Sequence, residues 1–309
     1  MRSVHAVDGD VTVVEGPGSA GDGVVVTVAS AGICGSDLHL VPWGLPFAMG
    51  HEFAGTLADG TPVAVEPLDP CWECPACLSG AYNLCQRGPA MVMGVGRDGG
   101  MADQCLVPTA SITALPTGLP LADACLTEPL AVAVHGVRRG RVTAGDRVAV
   151  VGGGSLGQLA LVAVQATGAA VDLEARHDHQ RAVATELGAG SVTDGYDVVV
   201  EAAGTTEALA RAVELCRGGG RVVVLGTYWD EAVMPAMDMC MREVDLLPAS
   251  MYARSGPSRD FDVAAAILAG RPEVARAVIT HRFPLDAAAQ AFATARDRRA
   301  GAIKVVLEP

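Results

Sequence analysis

From Arg147 onward the chain alternates valine-rich runs with helix-like stretches, and no other feature constrains the fold as much. "RVAVV" reads as a strand, "GGGSLG" as a turn, "QLALVAVQAT" as a helix stopped by Gly168, and "AVDLEA" as the next strand. "HQRAVATELGAG" continues as a helix, "YDVVVEAAG" as a strand, "TEALARAVELCRGGG" as a helix with a glycine stop, and "RVVVLG" as a strand. Strands this uniformly apolar need cover on both faces, which a parallel sheet with crossover helices supplies. The fold class is therefore α/β, with a doubly wound parallel-sheet domain placed at residues 139–270.

The remainder has another texture. "VTVVEGP" and "GVVVTVASAGI" read as short β segments, and residues 71–120 are rich in Cys, Pro and Gly. A helix begins at "TEPLAVAVHGVRRG", where Thr127 can cap, Pro129 suits a first turn and Gly140 can terminate. The tail "AVITHRFPLDAAAQAFATARDRRAGAIKVVLEP" is mixed and is expected to fold back onto the first part. A mostly-β domain thus takes residues 1–138 and 271–309. Two domains suit 309 residues, and a composition that is 50% hydrophobic but only 4% aromatic suits layers of small and branched side chains.

The formal net charge of −13 argues against nucleic acid or an anionic membrane as a partner. "MRSVHAVDGDVTVVEGPG" has no apolar signal core, and no apolar run is long enough to span a bilayer. A cytoplasmic location is expected. Nine cysteines there argue for thiols and metal ligands over disulfides.

"VVGGGSLG" carries G-x-G-x-x-G as Gly152, Gly154 and Gly157. The pattern is weak alone, but here it follows a strand, opens a helix and lies within a βαβ unit, the context that identifies a dinucleotide site. Gly152 permits the tight turn, Gly154 a close approach to a pyrophosphate, and Gly157 close helix–strand packing. Ser155 and Leu156 begin the helix whose free N–H groups face the phosphates. At the end of the second strand, where an acidic residue would hold a ribose 2′-OH, stands Ala175, followed by Arg176, His177 and His179. A small residue leaves room for a 2′-phosphate and Arg176 can pair with it, which favours NADP. The competing reading gives the acidic role to Glu174 and keeps NAD possible.

Two sets of residues have metal-ligand character. "CWECPACLSGAYNLC" places Cys71, Cys74, Cys77 and Cys85 where one tetrahedral ion can be wrapped. Four thiolates at short spacing are the mark of a closed structural zinc, with an iron centre or scattered thiols as alternatives. Separately, "AGICGSDLHL", "MGHEFAG" and "LTEPLAVAVHG" contribute Cys34, His51, Glu52 and Glu128. A catalytic zinc takes three protein ligands and keeps one open position. Cys34 and His51 suit two of these, and Glu52 or Glu128 the third.

Together these pieces resemble the zinc-dependent medium-chain dehydrogenase/reductase family, in its alcohol, polyol and threonine dehydrogenase branch. "GICGSDLH", "GHEFAG", "VAVEP", "CWECPACLSGAYNLC", "DGGMADQCLVP", "TEPLAVAVH", "AGDRVAVVGGGSLG", "DVVVEAAG" and "GAIKVVLEP" occur in family order and cover nearly the whole chain. The resemblance implies a GroES-like catalytic domain split across both chain ends, a Rossmann domain between them, and two zinc ions. It assigns Cys71, Cys74, Cys77 and Cys85 to the structural zinc, and Cys34, His51, Glu52 and Glu128 to the catalytic zinc or its water. Ser36 matches the residue that takes the substrate proton, His39 the end of the relay to solvent, and Asp37 a carboxylate that orients His51. The chain is shorter than the family pattern around "EFAGTLADG" and "LHLVPWGLPFAMGHE", next to the expected substrate cleft, where Trp43 and Phe47 are candidate lining residues.

The implied activity is hydride transfer between an alcohol or polyol, or its carbonyl product, and NAD(P). Two rivals share the fold: a zinc-independent enone or quinone reductase, and a non-catalytic NADPH-binding protein. Intact Cys34, His51 and Glu52 argue against the first, and metal content separates the zinc enzyme from both. "AMDMCMREVDLLPASMYA" stands where the family's cofactor-domain edge strand pairs with a second copy, so a homodimer or homotetramer is expected.

Overall fold

In the computed structural model, which describes residues 1–18, 21–297 and 299–309, the chain begins with an antiparallel hairpin of β1 (Arg2–Val7) and β2 (Asp10–Glu15). β3 (Val24–Gly32) leads into the short helix α1 (Gly35–Leu40), and β4 (Glu52–Thr56) and β5 (Pro62–Val65) follow. The one-turn helix α2 (Pro75–Leu78) interrupts a long loop before β6 (Gln104–Val107) and β7 (Ile112–Ala114). Helix α3 (Thr127–Arg139) follows with Pro129 in its first turn, but Thr127 is already helical and its buried hydroxyl finds no partner among the described residues, so the cap expected of it does not form.

The expected alternation follows. β8 (Arg147–Val151), α4 (Ser155–Gln165), β9 (Ala170–Glu174), α5 (Asp178–Glu186), β10 (Tyr196–Glu201), α6 (Thr206–Leu215), β11 (Cys216–Val224), α7 (Ala236–Arg242) and β12 (Asp245–Pro248) succeed one another. The five strands pair in parallel in the order β12-β11-β10-β8-β9. Val148, Ala149, Val150, Val198, Val199 and Val200 are buried at the centre, as unbroken apolar runs require. One detail departs from the sequence expectation. The helix stops at Leu215 and β11 already begins at Cys216, because the ladder with β10 shifts register across the three glycines that follow. A glycine run in a strand marks such a bulge as readily as it marks a helix stop.

After β12 come the small hairpin of β13 (Arg254–Ser255) and β14 (Ser258–Arg259), α8 (Asp260–Gly270), α9 (Pro272–Val278), β15 (Ile279–Pro284), α10 (Ala288–Arg296) and β16 (Lys304–Glu308). β15 and β16 join the first part's sheet, ordered β15-β16-β3-β4-β5-β7 with β6 also on β3. Phe292, Val305 and Leu307 of the tail share one core with Val26, Phe53 and Val63, so the tail does fold back as expected.

The two compact units are Met1–Glu128 with Ala253–Pro309, and Pro129–Tyr252. This corrects the boundaries of 139 and 270. Most of α3 belongs to the second unit: a Cβ added at Gly136 would lie 2.6 Å from Leu225 and one at Gly140 2.6 Å from Val223, so the helix rests on β11. Residues 253–270 belong to the first, where Arg259 pairs with Glu66 at 3.0 Å and donates to Thr113 at 2.7 Å. A change of partner inside a helix leaves no mark in composition. Among the described residues no helix is long and apolar enough to cross a membrane.

Candidate functional site

α1 and the strand edge beside it bring the first set of ligand-type residues together. Cys34 stands at the N-cap of α1, and His51 and Glu52 enter β4. Ligand atoms of Cys34, His51 and Glu52 all lie within 4.8 Å of one another. Asp37 is fully buried, fixes the turn by accepting from the Cys34 N–H at 2.8 Å, and turns its other oxygen to His51 Nδ1 at 3.4 Å. Ser36 Oγ lies 3.4 Å from His51 Nε2, at the rim of the cluster. Burial opposes charge on His51, but the Asp37 carboxylate and the Cys34 sulfur outweigh it and hold the imidazole well above its ordinary range. The pocket therefore selects positive charge, and its S, N and O donors suit zinc. His39 is exposed at the end of α1, and Glu128 is buried in the first turn of α3, outside the group of three. Trp43, just beyond α1, is 70% exposed.

One residue of this site escaped the sequence reading. Lys304, at the start of β16, donates to Glu52 Oε1 at 2.8 Å, Glu52 Oε2 at 2.7 Å and the Ile33 carbonyl at 3.0 Å. It is buried, yet the Glu52 carboxylate and the Cys34 sulfur more than offset the desolvation that would discharge it, and its pKa is raised. Gly32 faces Glu52 across the β3–β4 ladder, and a Cβ there would lie 2.1 Å from Glu52 Oε2, so the glycine makes the space this carboxylate fills. A signal was present: Lys304 is the one lysine in the chain, against 21 arginines.

Cys71, Cys74, Cys77 and Cys85 form the second cluster, again within 4.8 Å. The Cys71 and Cys77 sulfurs are 3.9 Å apart and those of Cys74 and Cys77 3.5 Å. A disulfide needs about 2.05 Å, whereas the edge of a ZnS₄ tetrahedron with bonds of about 2.3 Å is about 3.8 Å. Backbone N–H groups of Cys71 and Cys74 point at the sulfurs of Cys85 and Cys71, each at 3.3 Å. Backbone donors draw the Cys74 thiol down to about 6, while burial and the neighbouring sulfurs push Cys77 up to about 12. Four clustered thiols resist joint ionisation unaided, and a divalent cation removes that conflict. Beneath the lobe, the Tyr82 hydroxyl donates to Glu66 Oε1, Arg259 holds Glu66 Oε2, and Trp72 packs on Tyr82 with ring centroids 5.4 Å apart. Sequence reasoning missed this buried link because its members lie on three separate segments.

The glycine loop joins β8 to α4. Gly152 has φ +115°, and a Cβ at Gly157 would lie 1.8 Å from the Gly152 carbonyl, so turn and packing both demand glycine. A Cβ at Gly154 would meet nothing, which leaves that face open to a ligand. Ser155 Oγ, in the first turn of α4 beside Leu156, is buried without a hydrogen-bond partner among the described residues. An open backbone face at the start of an eleven-residue helix, with an orphaned hydroxyl beside it, fits a pyrophosphate. At the end of β9, Ala175 is buried and Glu174 is gripped by Arg211 of α6, at 3.1 Å to Oε1 and 2.9 Å to Oε2. Arg176 is exposed, and its guanidinium pairs with no described residue.

Comparison with known proteins agrees with this architecture. The alcohol dehydrogenase GroES-like domain family matches residues 20–117, and the glucose dehydrogenase C-terminus family residues 122–308. The 2-dehydro-3-deoxy-L-galactonate 5-dehydrogenase of Pseudoalteromonas atlantica is 31% identical, over 87% of each chain. Galactitol-1-phosphate dehydrogenase of Escherichia coli superposes with TM-score 0.89 over 100% of both chains at 28% identity. A Sinorhizobium meliloti 1021 dehydrogenase solved with NADP superposes with TM-score 0.87 over 100% of this chain and 99% of its own, at 29% identity. With a GroES-like sheet carrying the Cys–His–Glu cluster and a parallel sheet carrying the glycine loop, the chain belongs to the zinc-dependent medium-chain dehydrogenase/reductase family and is an NAD(P)-dependent alcohol or polyol oxidoreductase.

Proposed function

We propose that the chain interconverts a secondary alcohol of a small polyol or sugar acid and its ketone, with NADP(H) and two zinc ions per chain. The Cys34–His51–Glu52 cluster with Ser36 at its rim carries the reading. Cys34, His51 and one of Glu52 and Glu128 hold the catalytic metal, and Asp37 orients His51. The metal, when bound, polarises the substrate oxygen and acidifies its hydroxyl. Ser36 accepts the hydroxyl proton, and exposed His39 passes it to solvent. Cys71, Cys74, Cys77 and Cys85 hold the second zinc, a closed one that braces the lobe. The polyol class is supported by the galactonate and galactitol-phosphate dehydrogenases it resembles.

Gly152, Gly154, Ser155, Leu156 and Gly157 form the pyrophosphate cradle. Buried Ala175 and exposed Arg176 support NADP over NAD, since Glu174 is engaged by Arg211. A panel of sugar alcohols, sugar acids and simple secondary alcohols, run with NADP⁺ and with NAD⁺, tests both points. Zinc-dependent turnover of a polyol with NADP⁺ preferred is expected; turnover unaffected by chelation overturns the zinc reading, and preference for NAD⁺ overturns the cofactor assignment. A cytoplasmic location is supported by nine free cysteines. Pairing of two copies along the edge strand β12 is supported by exposed Met237 and Met241 on the preceding helix α7, and sedimentation of the purified chain as a monomer would refute it.

A further inference from the structure

A strap of backbone runs from the four-cysteine lobe to the segment that carries His51. The three carbonyls before His51 all accept N–H groups from it: Ala48 from Gly99 at 2.8 Å, Met49 from Met101 at 2.9 Å and Gly50 from Gly100 at 2.8 Å. The Asp98 carboxylate accepts the Ala48 N–H at 3.1 Å. The two segments meet backbone to backbone. A Cβ at Gly94 would lie 2.6 Å from the Gly50 carbonyl oxygen, and one at Gly99 2.7 Å from the Met49 carbonyl oxygen. Met49 and Met101 are fully buried at this contact. His51 therefore stands where residues 94–101 put it.

The other end of the strap reaches the lobe. The Met93 N–H donates to the Pro67 carbonyl at 3.0 Å, and the Asp69 N–H to the Met91 carbonyl at 2.8 Å. Arg97 pairs with Asp69 Oδ2. The Arg87 guanidinium meets the same residue, donating to the Asp69 carbonyl at 3.0 Å and lying 3.5 Å from Oδ2, while the Arg87 N–H points at Cys85 Sγ at 3.5 Å. Asp69 stands two residues before Cys71, and Arg87 two after Cys85. Both ends of the lobe thus close on one aspartate, and Arg97 holds it. Arg97 and Asp98 are adjacent: the first engages the lobe, the second the segment of His51.

We infer that Arg97 and Asp98 are positioning residues for His51, through which occupancy of the four-cysteine site tunes metal affinity at the Cys34 cluster. The inference rests on the two-zinc reading above. A cation among Cys71, Cys74, Cys77 and Cys85 draws both ends of the lobe together, and with them Asp69 and Arg87. Without it nothing offsets the crowding of four sulfurs, and the ends part. Asp69 then no longer fixes Arg97, the strap loosens, and the carbonyls before His51 lose a fixed partner. An imidazole that must be ordered on binding holds a metal less tightly than one already in place. The link runs through a partly exposed ion pair, so its effect on affinity is modest, about 3- to 10-fold.

The test titrates Co²⁺ into the full chain, with zinc kept at the four cysteines and the Cys34 cluster emptied by mild chelation. The cobalt–thiolate absorption that disappears in Cys34→Ser reports the site, and competition with a chelator sets the affinity scale. Arg97→Ala and Asp98→Ala are each expected to bind Co²⁺ about 3- to 10-fold more weakly, with the four-cysteine zinc retained. Asp98→Asn keeps an acceptor for the Ala48 N–H and should match wild type. The Cys74→Ser/Cys77→Ser chain should show the same loss, and adding Arg97→Ala to it should cost nothing more, because the link is already open. If that chain does not fold, Arg97→Ala combined with Asp69→Asn takes its place, and the pair should lose no more than either change alone. Wild-type affinity in Arg97→Ala, or full additivity in either combination, overturns the coupling and leaves the strap as scaffold. If the wild-type chain shows no Cys34-dependent cobalt absorption, the catalytic-metal reading itself falls and the inference with it.

Discussion

The Lys304 ammonium spends all three of its donors on three acceptors, two of them the carboxylate oxygens of Glu52. This pair joins the last strand of the chain to β4, which Glu52 opens directly after His51. It also gives the buried Glu52 carboxylate, beside Cys34, a fixed counter-charge. Lys304→Ala leaves a buried carboxylate unpaired, and a loss of about 3–5 kcal/mol in unfolding free energy is expected by denaturant titration. Lys304→Arg is also expected to be costly, because a planar fork cannot reproduce three convergent bonds from one nitrogen. An arginine variant as stable as wild type would show that charge alone matters.

The glycine loop offers a contrast between two substitutions. Gly157→Ala drives a methyl into the Gly152 carbonyl, so both folding and cofactor binding suffer, with about 1–3 kcal/mol or more lost in stability. Gly154→Ala meets no protein atom and should fold normally, while its methyl obstructs the approach of the pyrophosphate. Thermal melts with and without NADPH separate the two cases. Equal NADPH-induced stabilisation of Gly154→Ala and wild type would place the pyrophosphate elsewhere.

Tyr82→Phe removes the hydroxyl that donates to buried Glu66. Arg259 remains on the other oxygen, so a loss of about 1–3 kcal/mol is expected from one unmet acceptor. Because Tyr82 lies between Cys77 and Cys85, the four-cysteine lobe should also release its zinc faster to a chelator. Unchanged release would confine the tyrosine to the sheet beneath.

Asp37→Asn removes the anion that faces His51 Nδ1. Metal affinity at the catalytic cluster should drop about 10- to 100-fold in competition with a chromophoric chelator, with the four-cysteine zinc unaffected. Equal affinity would mean that Asp37 serves only the α1 turn.

Local patterns carried much of this into the sequence. The βαβ alternation is legible because a parallel sheet buried on both faces forces unbroken apolar strands, and the glycine loop because backbone geometry there excludes side chains. The four-cysteine cluster was legible from residue type and spacing, whereas the Cys34–His51–Glu52 group needed the family resemblance, which also offered Glu128. What stayed hidden depends on distant segments meeting. Lys304 lies 252 residues from Glu52, and Arg259 lies 193 residues from Glu66, so neither pairing leaves a local trace. The domain boundaries differ for a related reason: the division falls inside the first turn of α3, an uninterrupted helix.

The central claim is that the conspicuous cysteine cluster is structural and that the chemistry belongs to the group around Cys34. Zinc content per chain, measured together with turnover for wild type and Cys34→Ser, tests it most directly. The account predicts about two zinc ions in the wild-type chain and about one in the variant, with turnover abolished and NADPH binding retained. A Cys34→Ser chain that keeps both its zinc content and its turnover would contradict it.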